Sequence, residues 1–220
     1  GLAFITAPPE DFVPEPVRGQ PVCGVVCCYA GPAADGPAAY APLRELPFLG
    51  VDMLGEMPYV AVQQLLDPPN QKGAQNYWTA DFYDDLPDEA FDILADFGNR
   101  PVSHLTQLIV IPGGGALARV DEDAMAFGQR HARWNIHYLS MWPDPADTET
   151  NIAYTRDLAT AMKPWSTGGA YLNFLGDEGT SRVEAAFGPE KYARLAALKR
   201  EWDPGNLFRH NQNIAPAPVG

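Results

Sequence analysis

The sequence predicts an α+β fold: an antiparallel sheet with helices covering one face, and with the other face forming a site. Segments rich in β-branched and aromatic residues are typical of strands, and they fall at 21–30, 76–83, 103–111, 132–142 and 170–175. Segments with helical signals lie between them, at 33–46, 88–97, 144–162 and 181–202. With 220 residues, 46% of them hydrophobic, the chain is long enough to bury a core. Because strands are separated by helices and some neighbours can pair antiparallel, the predicted class is α+β.

The first predicted strand, at 21–30, is apolar and β-branched and ends at the Gly31-Pro32 turn. Its three cysteines, Cys23, Cys27 and Cys28, have no spaced partners elsewhere that would indicate a disulfide framework. All four histidines lie far along the chain, so the cysteines also lack a nearby fourth metal ligand. Since free cysteine packs as a small hydrophobe, we expect buried structural thiols and no metal site.

The helix boundaries follow from glycine, proline and charge. The helix at 88–97 lies between a proline and a glycine, which favour a start and a stop. The helix at 144–162 carries acidic residues mainly toward its start and Lys163 at its end, as the helix dipole favours. Gly188-Pro189 is expected to break the segment 181–202 into two helices.

The charge of the chain excludes two classes of partner. Fifteen basic residues stand against 28 acidic ones, a net charge of −13, so a nucleic acid or an anionic membrane surface would be repelled. The longest apolar run, at 108–118, is too short to cross a bilayer and contains a proline. We therefore expect a soluble chain, in the cytoplasm rather than secreted. It opens on Gly1 and not on methionine, which indicates a piece of a longer protein.

Polar side chains alternate along two of the predicted strands. Asn135 and His137 share one face of the strand at 132–142, and Tyr171 and Asn173 share one face of the strand at 170–175. If these strands are neighbours, the four side chains converge on a surface that can bind and deprotonate an alcohol. The alternative is that His137 is a hydrogen-bonded structural residue, which is the usual role of a histidine on a strand.

The C-terminal part of the sequence carries motifs of a known family. It contains the segments YLNF at 171–174, KYARLAALK at 191–199 and DPGNLFRHNQNI at 203–214. This stretch resembles the berberine and berberine-like segment of FAD-linked oxidases. Upstream, the segments at 57–59, 76–78, 114–116 and 126–130 are similar to the substrate domain of bacterial members. The resemblance thus extends over nearly the whole chain.

The resemblance implies a domain organisation. Residues 1–165 would form a substrate-binding domain, and residues 166–220 a C-terminal segment that packs on it. The family's sheet lies over the flavin ring, which a separate N-terminal domain holds. The implied cofactor is therefore FAD, bound mainly by a domain absent from this chain. That FAD-binding domain, in the same or another chain, and a small-molecule substrate are the implied partners.

The resemblance also implies roles for individual residues. Tyr171 matches the tyrosine that lies beside the reacting substrate and acts in deprotonation. Asn173 matches an asparagine close to the flavin, and Asn211 or Asn213 of the tail is expected on the flavin side. His137 stands where plant members tend to have glutamine, which makes it the second catalytic candidate. Asn135 falls at a position that is often lysine.

The function implied is oxidation of an alcohol or amine carbon, with proton abstraction by the protein and hydride transfer to the flavin. Asn135 and Tyr77 are the candidate substrate-binding residues, and Tyr77 and Trp78 are candidate aromatic walls. The chain alone is expected to be inactive. The alternative is a non-catalytic module that binds a small molecule or a partner without flavin.

Overall fold

The computed structural model describes residues 1–11, 13–47, 51–70, 72–176 and 178–218. Its five strands are β1 (Leu2–Thr6), β2 (Pro21–Val25), β3 (Gln75–Tyr83), β4 (Gln107–Pro112) and β5 (Trp134–Trp142). They form one antiparallel sheet in the order β2-β1-β4-β5-β3. The α-helices are α1 (Gly36–Arg44), α2 (Tyr59–Gln64), α3 (Asp88–Gly98), α4 (Gly115–Ala118), α5 (Thr148–Met162), α6 (Thr180–Phe187) and α7 (Pro189–Trp202). The α+β class is confirmed.

The main core lies between one face of the sheet and the helices α3 and α5. Alternation along β5 directs Ile136 and Tyr138 toward these helices, where both are fully buried. Leu94 of α3 and Leu158 of α5 pack against them and are also fully buried. Each such side chain contributes about 1.5–3 kcal/mol through its removal from water. The same alternation leaves His137 on the face opposite these two helices.

Most predicted elements are present. The strands at 76–83, 103–111 and 132–142 correspond to β3, β4 and β5, and the four predicted helices correspond to α1, α3, α5 and the pair α6 and α7. Gly188 and Pro189 separate α6 from α7, as the sequence predicts. The strand β1 and the helix α2 are additional elements.

The expectation of buried cysteines is wrong. The predicted strand at 21–30 ends at Val25 and lies at the edge of the sheet, where few residues cover it. Cys23 and Cys28 are exposed, and Cys27 is half-buried. An apolar, β-branched run fits an edge strand as well as a central one, which explains the error.

The predicted strand at 170–175 is also absent. The chain instead forms a 3₁₀ turn at Leu172–Phe174, and Ser166, before this turn, forms an isolated β-bridge with Tyr83. The apolar-polar alternation that predicts a strand here spans only five residues, and a turn flanked by glycines satisfies it equally well. Tyr171 and Asn173 are therefore on a turn and not on a neighbouring strand.

Arg182 of α6 holds this region against the exposed edge of β3. Its guanidinium donates to the carbonyl oxygen of Ala80 at 2.9 Å and pairs with the carboxylate of Asp81 at 3.1 Å. It also donates to the carbonyl of Gly168 at 3.4 Å. The backbone N–H of Thr167 donates to the carbonyl of Phe82. The edge strand thus finds partners for carbonyl groups that an open edge would leave free.

Replacing Gly98 with alanine should destabilise the fold. Gly98 is buried at the end of α3, and a Cβ atom there would lie 2.5 Å from the ring of Phe4, itself part of the core. We expect a loss of about 1–3 kcal/mol from overpacking, larger than the gain of about 1 kcal/mol from the higher helix propensity of alanine. Urea unfolding measures the difference. As a control, Gly36→Ala in α1 meets open space and should not lower stability.

Among the described residues, none of the helices combines the length and the apolar character needed to cross a membrane.

Candidate functional site

His137 lies in an aromatic environment on the sheet face opposite α3 and α5. Its ring is stacked on that of Phe174, with the centroids 4.0 Å apart and the planes 2° from parallel. The ring of Trp78, on β3, lies 5.9 Å away and is tilted by 57°. These rings leave His137 only 9% exposed. The imidazole is therefore held in one orientation by ring contacts.

Burial controls the charge of this imidazole. Desolvation lowers the pKa of His137 to about 4, from an ordinary value of 6.5. At pH 7 the ring is therefore neutral. Its Nε2 atom is buried and finds no hydrogen-bond partner among the described residues. Placing a proton on the ring at this site costs about 3 kcal/mol more than in water.

Tyr171 is connected to His137 by the ring of Phe174, which contacts both side chains. The Tyr171 and Phe174 rings meet edge to face, with centroids 4.8 Å apart. A second edge contact, at 5.7 Å, joins Tyr171 to Phe127. The side-chain amide of Asn173 donates to the Tyr171 hydroxyl at 3.0 Å. We call His137, Phe174, Tyr171 and Asn173 the polar-aromatic cluster.

Asn135 lies two residues before His137 on the same face of β5. Its amide nitrogen donates to the carbonyl of Asp81 at 3.2 Å, whereas its side-chain oxygen is buried without a partner in the described part of the chain. A buried acceptor without a partner is costly, and a bound polar ligand can supply the missing donor. Asn135 Oδ1 and His137 Nε2 are thus two unpaired polar atoms on this face of the sheet, and both are buried in this structure.

Tyr77 lies apart from the other candidates. It is paired with Ser140 across β5 and so faces the helix-covered side of the sheet. There its hydroxyl accepts a hydrogen bond from Arg156 of α5 at 3.3 Å, and the guanidinium lies over its ring at 5.3 Å. Of the two candidate aromatic walls, Trp78 lies on the face that carries His137, and Tyr77 does not.

The tail after α7 runs beside the turn that carries Tyr171. The side-chain amide of Gln212 donates to the carbonyl oxygens of Leu175 and Gly176, at 3.1 and 2.9 Å. Asn211 is exposed and has a positive φ of 59°, a left-handed conformation that asparagine tolerates better than most residues. Sequence reasoning places the tail here through Asn211, but Gln212 is the residue that attaches it.

A small cavity of about 120 Å³ adjoins the polar-aromatic cluster. Tyr171, Leu172, Phe127, Ala186 and Phe187 are among its mainly apolar lining residues. An apolar cavity of this size accommodates a small ring or a branched alkyl group. The space next to Tyr171 therefore suits the apolar part of a small molecule.

Sequence reasoning misses the residue that connects the site. A strand at 170–175 would direct Phe174 away from Tyr171, but the 3₁₀ turn brings the two rings together and places Phe174 over His137. The sequence feature that could have predicted this turn is the pair of glycines at 168 and 169, which favour a turn before Tyr171.

Comparisons with known proteins agree with these motifs. Residues 170–215 match the family model "Berberine and berberine like". An FAD-linked oxidoreductase of Dictyostelium discoideum is 29% identical over 168 residues, which cover 76% of this chain and 36% of the relative. The (R)-6-hydroxynicotine oxidase of Paenarthrobacter nicotinovorans is 31% identical over 133 residues, which cover 56% of this chain and 29% of the relative.

Solved structures agree in fold. A BBE-like protein of Arabidopsis thaliana (number 28) matches with a TM-score of 0.65 and 18% identity, over 86% of this chain and 46% of that one. The chain spans about a third of the length of the curated relatives it matches. The chain is therefore similar to FAD-linked oxidoreductases of the berberine bridge enzyme-like kind, as its C-terminal motifs predict.

Proposed function

We propose that this chain is the substrate-binding and C-terminal portion of an FAD-dependent oxidoreductase that oxidises an alcohol or amine carbon. The observation that carries the proposal is the polar-aromatic cluster, which joins Tyr171 to His137 on the sheet face that α3 and α5 leave free. Residues 1–165 would form the substrate-binding domain, and residues 166–220 the segment that completes the site.

In this proposal the residues of the polar-aromatic cluster have different roles toward the substrate. When bound, FAD supplies the acceptor for a hydride from the substrate carbon. Asn173 donates to the Tyr171 oxygen and so stabilises negative charge on it. In its deprotonated form, Tyr171 would accept the proton of the substrate O–H or N–H while the hydride leaves the substrate carbon. Tyr171 is therefore the proposed proton-transfer residue.

His137 is the second catalytic candidate, in a more limited role. A group with a pKa of about 4 is a weak base at pH 7, so the imidazole does not keep a substrate proton. Its unpaired ring nitrogen can still form a hydrogen bond with the substrate O–H or N–H. Asn135 offers its unpaired oxygen on the same face and would bind a donor group of the substrate.

Two exposed amides fit the edge of a flavin ring. Asn173 projects from the turn next to Tyr171, and Asn211 lies in the tail segment that Gln212 attaches to that turn. Side-chain amides donate and accept hydrogen bonds, as the nitrogen and oxygen atoms of a flavin ring require. In this proposal these two residues contact the flavin, and an N-terminal FAD-binding domain, in the same or another chain, binds most of the cofactor.

The exposed turn after α7 supports a partner domain. Leu207 and Phe208 are 71% and 78% exposed, although the Asp203 carboxylate accepts hydrogen bonds from the backbone N–H groups of both. A turn that is held rigidly while it presents two large apolar side chains to water is typical of a surface that another domain covers.

A visible spectrum tests the proposal. The 220-residue chain and the protein expressed from the complete reading frame that encodes it are purified in parallel. We expect a colourless chain and a flavin-containing complete protein, whose flavin is bleached anaerobically by D-glucose or by (R)-6-hydroxynicotine. Each probe represents one substrate class: (R)-6-hydroxynicotine is taken from the name of the relative described above, and D-glucose from the name of a structural neighbour, Phl p 4, a glucose dehydrogenase. A complete protein that neither contains nor takes up FAD would instead support the non-catalytic binding module.

A further inference from the structure

The ring of Phe174 covers one face of the His137 imidazole. The two planes differ by 2° and their centroids are 4.0 Å apart, so the rings are stacked in van der Waals contact. Phe174 belongs to a 3₁₀ turn outside the sheet, whereas His137 belongs to the central part of β5. The contact therefore joins the C-terminal segment to the sheet at the candidate site.

We infer that Phe174 is a positioning residue: it fixes the His137 imidazole parallel to its own ring and excludes water, so that His137 meets the substrate as a neutral hydrogen-bonding group. Among the residues that the structure describes, the one other ring contact of His137 is more distant. Trp78 lies 5.9 Å from the imidazole and tilted, so it bounds the site without covering the ring. Ala80 and Ile109, the residues paired with His137 on the adjoining strands, have no polar side-chain atoms.

No charged side chain on β3, β4, β5 or the 3₁₀ turn explains why the His137 imidazole is neutral. The strand β4 has no titratable residue, and Tyr171 is the titratable group that approaches from the turn, through Phe174. The titratable residues of β3 and β5 alternate onto the other face of the sheet; these are Tyr77, Asp81, Tyr83 and Tyr138. Desolvation alone accounts for the lowered pKa of His137. Phe174 is the largest side chain of the 3₁₀ turn and the one that stacks on the imidazole.

The consequence for catalysis rests on the proposed function. A cationic imidazole would stabilise negative charge on a substrate oxygen but could not accept its proton. A neutral, fixed imidazole keeps its ring nitrogen available as an acceptor at every pH above the lowered pKa. Phe174 would then broaden the pH range over which the site can bind the O–H or N–H group of a substrate.

A histidine titration by NMR tests the inference on the chain itself. The ¹⁵N-labelled 220-residue chain is titrated between pH 3 and pH 8, and the ring signals of His137 are assigned with His137→Gln. We expect His137 to titrate with a pKa of about 4, well below the ordinary value of 6.5. In Phe174→Ala its pKa should rise by about one to two units, because water reaches the ring.

Three further variants sharpen the result. Phe174→Tyr keeps a flat ring and should leave the titration of His137 unchanged. Phe97→Ala removes a half-buried phenylalanine that packs on Tyr154 on the opposite side of the sheet. This variant also should leave the pKa of His137 unchanged. If Phe174→Ala does not fold, Phe174→Leu should give a smaller rise in the same direction.

An unchanged His137 pKa in Phe174→Ala and in Phe174→Leu overturns the inference, and so does a wild-type value near 6.5. The titration needs no flavin. A chain that titrates as expected, in a complete protein that neither contains nor takes up FAD, would therefore contradict the proposed function and leave the role of Phe174 intact.

Discussion

Replacing Tyr171 with phenylalanine should slow the reduction of the flavin by about 10²–10⁴-fold, the usual contribution of a positioned proton-transfer group. The variant keeps the ring that packs against Phe174 and Phe127, so the cluster stays in place. It loses only the hydroxyl that accepts from Asn173. The measurement is anaerobic flavin reduction in the complete protein, followed by stopped flow with whichever probe reduces the wild type.

The matched control is Tyr59→Phe, which removes a hydroxyl from a 73% exposed tyrosine in α2. Its rate should equal that of the wild type. If Tyr171→Phe also reduces the flavin at the wild-type rate, Tyr171 does not transfer the proton. If only the concentration dependence changes and the limiting rate does not, Tyr171 binds the substrate without acting on it.

Replacing Arg182 with methionine should lower the free energy of unfolding by about 3 kcal/mol. Methionine retains much of the apolar stem but leaves the Asp81 carboxylate, which is only 4% exposed, without its cation. It also removes the donors to the carbonyls of Ala80 and Gly168. The loss should be detected by urea unfolding, with earlier proteolysis within 166–176, because Arg182 attaches this segment to β3.

Arg100→Met is the control for this prediction. Arg100 forms an ion pair with Asp96 one helical turn away, but both side chains are more than half exposed. Such a pair contributes less than about 1 kcal/mol. Equal losses in the two variants would show that Arg182 is an ordinary surface residue and not the attachment of α6 to the sheet edge.

The sequence predicts the structure well where a long segment follows one periodicity that fits only a strand or only a helix. Nine residues of β5 alternate without interruption, and the structure places Asn135 and His137 on one face as that pattern predicts. The helix α3 is bounded by a proline and a glycine, and its bounds agree with the prediction. Long elements average over many residues, so single exceptions do not change the outcome.

The failures fall on short segments. Five residues around Leu172 fit a strand or a 3₁₀ turn, and the choice depends on Arg182 and Thr167, which already satisfy the edge of β3. The faces of Tyr77 and Trp78 depend on the register between β3 and β5, which periodicity in one strand does not define. The stacking of Phe174 on His137 follows from that turn, so it could not be derived from the residues alone.

The structure of the complete, flavin-loaded protein with a bound product is the most direct test of the account. It should show the flavin ring over the sheet face that carries His137, with the Tyr171 hydroxyl within hydrogen-bonding distance of the product. A flavin on the side of α3 and α5, or a product that contacts neither Tyr171 nor His137, would contradict the assignment of the site.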